Sequence, residues 1–322
     1  MLLPDPAYVA AVNAEIERRL AAAFEHLVCD VLELPAANGP SANQPCAHAL
    51  QSLMRDAAVA GDVAEIRRLY LDHGEVLAGP APSAPCRVVF WTPEDLSPSE
   101  RLLLQAAFRD DIGLTARLAA PAPASDLRDT IAGLRAGIAQ AAPLWAQEFE
   151  ALVSMIVLAE TEGSGGTFGG ASAFAAWGAI LVNPARQRDT LQLALTLIHE
   201  SSHLKLFSAY LDDEIVLNDP AEAYSSPLRR EPRPVNGIYH AAFVLARMTE
   251  FATDIQASGM AGALFGPDAI AELDKSIGLS IGQFEAAHDV IRAHGRLTPK
   301  GALIMAEAAD GVAARKSAKA TA

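Results

Sequence analysis

Apolar positions recur at three- and four-residue intervals through much of this chain, and that spacing places its helices. Val9, Val12, Ile16, Leu20, Phe24 and Leu27 fall on one face of a helix over residues 7–29. Residues 47–72 repeat the pattern, and further helices are predicted at about 98–118 and 124–141. Two breaker-rich stretches interrupt it. Pro35 to Pro45, with Asn38-Gly39-Pro40 inside, reads as a loop, and Gly79-Pro80-Ala81-Pro82-Ser83-Ala84-Pro85 marks the best boundary. The expected division is an N-terminal helical region, 1–85, and a larger domain, 86–322.

In three places the pattern changes to that of strands. Arg87-Val88-Val89-Phe90-Trp91 is β-branched and aromatic, Leu152 to Leu158 is a short apolar run, and Gly178 to Asn183 is a third, stopped by Pro184. Between the last two lies Gly163-Ser164-Gly165-Gly166-Thr167-Phe168-Gly169-Gly170. It lacks the Gly-Lys-Ser/Thr ending of a phosphate-binding loop, so it reads as a sharp bend or a lid near substrate. Asp189 or Thr190 then caps a helix running to about Tyr210.

Charge and composition remove several function classes. The net charge is −14, from 39 acidic and 25 basic residues, with no basic patch interleaved with aromatics, so nucleic acid is not an expected partner. Cys29, Cys46 and Cys86 are odd in number and form no CxxC pair, which predicts reduced thiols in a cytoplasmic protein. The start of the chain carries Asp5 and Glu15 and has no basic-then-apolar signal pattern. The uncharged stretch Gly163 to Ala185 is too rich in Gly, Ser and Thr for a membrane helix, and no membrane association is expected.

The chemistry lies in His199-Glu200-Ser201-Ser202-His203. Two histidines four residues apart project from one helix face and can share a cation, with Glu200 adjacent. Glu222, Glu250, Asp254 and His240 are available as a third ligand. The proline-rich approach through Pro227, Pro232 and Pro234 and the turn signal Asn236-Gly237 favour His240, in the first turns of an apolar helix. Glu250 and Asp254 would then lie roughly 15–20 Å further along that helix. His26, His48, His73, His288 and His294 have no metal spacing, and Trp177 reads as a core residue. The expected fold is α+β, predominantly helical. A small sheet would be backed by the His199 helix in a zinc-peptidase-like catalytic core, with the N-terminal helical region packed alongside.

Three stretches resemble the HExxH-motif family of peptide natural-product biosynthesis, the iron- and 2-oxoglutarate-dependent peptide β-hydroxylases. They are Gly178-Ala179-Ile180-Leu181, the His199–His203 motif, and the segment from Ser226 through Pro232-Arg233-Pro234 to Gly237 and His240-Ala241. The similarity covers roughly residues 175–250. It implies His199, His203 and His240 as ligands of Fe(II), with 2-oxoglutarate as cosubstrate, dioxygen (O2) as oxidant and a ribosomally made peptide as substrate, with or without a leader segment. Three protein ligands leave open positions on a six-coordinate iron. The far carboxylate of 2-oxoglutarate needs a cation, for which Arg233 is the first choice, Arg229 the second and Arg247 a weaker third. Glu200 would orient a ligand or water in a hydroxylase. In the alternative, a zinc metallopeptidase, it would be the general base. A second alternative is a non-catalytic peptide-binding scaffold with a structural metal in a closed four-ligand site.

Overall fold

The computed structural model describes residues 1–35, 43–77, 86–112, 117–122, 126–162, 168–226 and 231–321. They form two compact units, each drawn from separated stretches of chain. One unit comprises Pro6–Arg128 and Glu150–Arg188, the other Met1–Asp5, Asp129–Phe149 and Asp189–Ala322. The segment 78–85 expected to separate two regions lies outside the described residues.

The first unit carries the main sheet. Its helices are α1 (Pro6–Glu25, continued by a wider turn over His26–Val31), α2 (Pro45–Val59), α3 (Val63–His73) and α4 (Pro98–Ile112). The single helix expected over 47–72 is two, because Gly61 adopts φ +72° and Asp62 caps α3 by accepting from the Glu65 N–H at 2.9 Å. The strands are β1 (Arg87–Phe90), β2 (Leu118–Ala119), β3 (Met155–Leu158), β4 (Glu160–Thr161), β5 (Gly170–Ser172) and β6 (Ala179–Val182). β1, β3 and β6 run parallel in the order β1-β3-β6-β5, and β5 closes the far edge antiparallel to β6. Every residue of β3 and β6 is buried, as expected of parallel strands covered on both faces. β3 starts later than the apolar run, since Leu152 ends a helix. Gly178 opens β6 at φ +91°, and a Cβ there would stand 2.8 Å from the Ser154 hydroxyl. Trp177 is a core residue whose indole N–H donates to Asn13 Oδ1 at 3.1 Å. Burial pushes the Cys46 thiol up to about 12, and all three cysteines are free of disulfides.

Among the described residues, the regular structure of the second unit is helical apart from one short pair of antiparallel strands. It holds α5 (Leu127–Ala141), most of α6 (Pro143–Leu152), α7 (Thr190–Ala209), the paired strands β7 (Ala223–Tyr224) and β8 (Arg233–Pro234), then α8 (Val235–Ala257), α9 (Ala261–Phe265), α10 (Ala269–His294) and α11 (Pro299–Thr321). The helix α8 packs on α7, α10 and α11, so it is apolar nearly all round. The sheet and the His199 helix α7 therefore belong to different units. Among the described residues no helix is long and apolar enough to cross a membrane.

The helical unit also buries three charges. Glu148 on α6, Lys205 on α7 and Arg247 on α8 are 1%, 0% and 1% exposed. The Glu148 carboxylate accepts from both cations and from the Asp5 N–H at 2.7 Å. Lys205 Nζ also donates to the Leu3 carbonyl at 2.6 Å, and Arg247 donates to the Leu2 carbonyl at 2.7 Å and to Ser202 Oγ at 3.0 Å. Each charge is matched by hydrogen bonds, the condition on which such burial is tolerated. Burial, with Arg247 nearby, lowers the Lys205 ammonium to about 8 despite Glu148.

Candidate metal centre

Asp189 fixes the start of α7 by accepting from the Gln192 N–H at 2.7 Å. Ten residues on, His199, His203 and Phe207 follow at four-residue spacing, with Tyr210 as the C-cap, so all four share one helix face. The first turns of α8 supply Asn236 and His240, again four apart.

These two faces bring the three histidines together. His199 Nε2 and His203 Nε2 are 3.3 Å apart, and the His203 and His240 rings stack with centroids at 5.7 Å. Two nitrogens each about 2.1 Å from a shared cation stand about this far apart when the angle between them is roughly 100°. The third donor is engaged differently: His240 Nε2 lies 3.2 Å from the Tyr210 hydroxyl, which donates to Asn236 Oδ1 at 2.6 Å. Among the described residues, no group of three or more His, Cys, Asp or Glu side chains is disposed as it stands to hold a metal ion.

The protonation states of two of the rings suit ligation even so. Burial, then the neighbouring His199, His240 and Arg233, holds the His203 imidazole well below its usual range. Burial and Arg233 lower His240 to about 4. Both rings are therefore neutral at pH 7, as metal ligation requires. The donor chemistry and the His199–His203 separation fit a divalent transition metal. The nitrogen available for a third place, His240 Nε2, stands against Tyr210.

Other expected residues are distributed unevenly. Glu200 is buried on α7, about 100° round the helix from His199. Arg233, on β8, reaches back over the start of α8, where a Cβ at Gly237 would meet its Nε at 3.7 Å. Its charge acts on both His203 and His240, so it belongs to the cluster. Arg229 lies outside the described residues. Arg247 does not reach the site, being held in the buried ion triad. The carboxylates weighed as third ligands are used elsewhere. Glu250 accepts from Arg315 at 2.6 Å, Asp254 from the Trp145 indole at 2.9 Å, and Glu222 from the Tyr224 hydroxyl at 3.0 Å.

Tyr210, Asn236 and Phe207 are residues to which sequence reasoning gave no role at the site. Tyr210 follows His203 by seven residues, two helical turns on the same face, which is a usable signal. Nothing local could show that Asn236 meets it. No family model matches this chain, and no curated protein matches it.

Proposed function

We propose that this chain is an Fe(II)- and 2-oxoglutarate-dependent dioxygenase. It hydroxylates a side-chain β-carbon of a ribosomally made peptide, on a zinc-peptidase-like catalytic core, in the cytoplasm. One observation carries the reading: His199, His203 and His240 adjoin in a single cluster whose charge environment includes Arg233. A three-histidine set with a guanidinium beside it suits a divalent metal and a dianionic keto acid together. When bound, iron supplies the coupling of dioxygen reduction to oxidation of 2-oxoglutarate into succinate and carbon dioxide, one oxygen atom entering the peptide and the other the succinate.

The protein's own part is to bind and orient. His199, His203 and His240 would hold the iron. Arg233 would hold the far carboxylate of the keto acid, a pairing for which a guanidinium is suited. Arg233→Ala should weaken 2-oxoglutarate binding roughly ten- to a hundredfold with Fe(II) affinity little changed, and Arg233→Lys should rescue only in part. Titrating 2-oxoglutarate against anaerobic Fe(II) protein, followed by the metal-to-keto-acid charge-transfer band, measures this. An unchanged dependence in Arg233→Ala hands the role to Arg229.

The competing reading is a zinc metallopeptidase, favoured by a buried Glu200 on the same helix as the histidines. Glu200→Gln separates the two. A hydroxylase needs no protein base to activate water, so succinate formation should fall only by about 10–100-fold. A peptidase should lose about 10²–10⁴-fold of its hydrolysis. Peptide cleavage that persists without oxygen and 2-oxoglutarate, and disappears in Glu200→Gln, would overturn the hydroxylase. Metal binding with neither reaction would leave the structural scaffold.

A further inference from the structure

We propose that Tyr210 is a latch on the third histidine. Its phenol occupies His240 Nε2 in the metal-free protein, and a metal held by His199 and His203 gains its third ligand as that bond is released. The inference rests on the three histidines forming a metal site, and does not depend on which metal or which reaction.

A neutral imidazole offers one N–H and one lone pair. The Tyr210 hydroxyl has a single proton and gives it to Asn236 Oδ1 at 2.6 Å, which leaves His240 Nε2–H to donate to the phenol oxygen at 3.2 Å. If the Asn236 amide is turned the other way, its NH2 donates to the phenol and the phenol donates to Nε2. In both arrangements Nε2 is taken, by a proton or by a hydrogen bond on its lone pair. His199 and His203 engage each other's Nε2 atoms instead, at a separation that a shared cation can bridge, so a metal replaces that single contact and gains both donors. The released phenol can turn toward solvent, because Tyr210 also borders an open surface depression with Glu214, Leu217 and Asn218. A competitor for one ligand lowers the apparent affinity by the fraction of molecules it holds. One such hydrogen bond is worth about two- to tenfold in binding.

The test is a titration of the full chain with Co(II), whose visible spectrum reports its ligands, alongside 15N NMR of the histidine rings in the metal-free protein. Tyr210→Phe, checked for an unchanged melting temperature, should bind Co(II) about two- to tenfold tighter than wild type with the same spectrum. The His240 Nε2 resonance should shift before any metal is added. In a His240→Ala background the same Tyr210→Phe change should give no gain. Unchanged affinity in Tyr210→Phe, or a gain that persists without His240, overturns the latch while the metal site stands. Weaker binding with loss of a phenolate band overturns it by making Tyr210 itself a ligand. If Co(II) binding to the wild type is absent or insensitive to His199→Ala, the latch fails together with the metal reading beneath it.

Discussion

His199→Ala, His203→Ala and His240→Ala are each expected to abolish stoichiometric metal binding and turnover, with affinity falling by more than about a hundredfold. Even the partners of metal ligands are commonly worth 10–100-fold, so removal of a ligand sets that range as a floor. The helical core should remain folded in all three. The rings stand partly exposed at one margin of the α7–α8 contact, whereas Leu197, Leu204, Phe243 and Phe251 fill the interior. Metal content after gel filtration, with circular dichroism of the same samples, checks both halves of the statement. Full metal content in His240→Ala, coupled with its loss in Glu222→Ala, would replace the three-histidine site by a carboxylate one and move the peptidase forward.

Glu148→Gln is expected to be the most damaging single change to stability, at about 3–5 kcal/mol. The substitution keeps the shape but leaves Lys205 and Arg247, both buried, without their shared counter-charge. Lys205→Met is the informative contrast. It removes one of two cations, so Glu148 and Arg247 remain as a balanced pair, at the cost of the hydrogen bond to the Leu3 carbonyl. Its loss should be nearer about 1–2 kcal/mol. Urea midpoints at constant slope distinguish the two variants. Equal losses would show that the triad acts through packed volume, and charge balance would no longer explain it. The triad ties α6, α7, α8 and residues 1–5 together, and Ser202, an Arg247 partner, sits directly before His203. A destabilised triad should therefore also reduce metal affinity, even though none of its members reaches the histidine cluster.

Local features were legible in the sequence because they depend on neighbours a few residues apart. The four-residue step from His199 to His203 sets both rings on one helix face in any helix, and Asp189 is a capping residue wherever an apolar helical run follows it. Three strands of the main sheet were readable for the same reason, since β1 is β-branched and β3 and β6 are unbroken apolar runs, whereas β5 starts at Gly170, within the run read as a glycine-rich bend. The boundary errors came from competition at the ends. Leu152 suits a helix as well as a strand, and Gly61 breaks a periodicity that the apolar residues on either side continue.

Distant pairings were decided by tertiary packing alone. Arg247 looks in sequence like a cation two turns past His240, free to meet an anion. Its partner Glu148 lies 99 residues earlier, and only the packing of α6, α7 and α8 shows that its charge is spent there. Tyr210 and Asn236 are 26 residues apart, and no local pattern shows that they meet or that the Tyr210 hydroxyl also engages the third histidine. The interleaving of the two units is equally invisible to local pattern, because burial of an apolar face states that a partner exists without naming it. The sequence by itself determined the helix-rich α+β class and the paired histidines, through geometry fixed within a turn or two of chain. The tertiary structure decided that His240 and Arg233 join them, and that Arg247, Glu250 and Asp254 do not, because side chains from separate elements meet only where the packing of whole helices carries them.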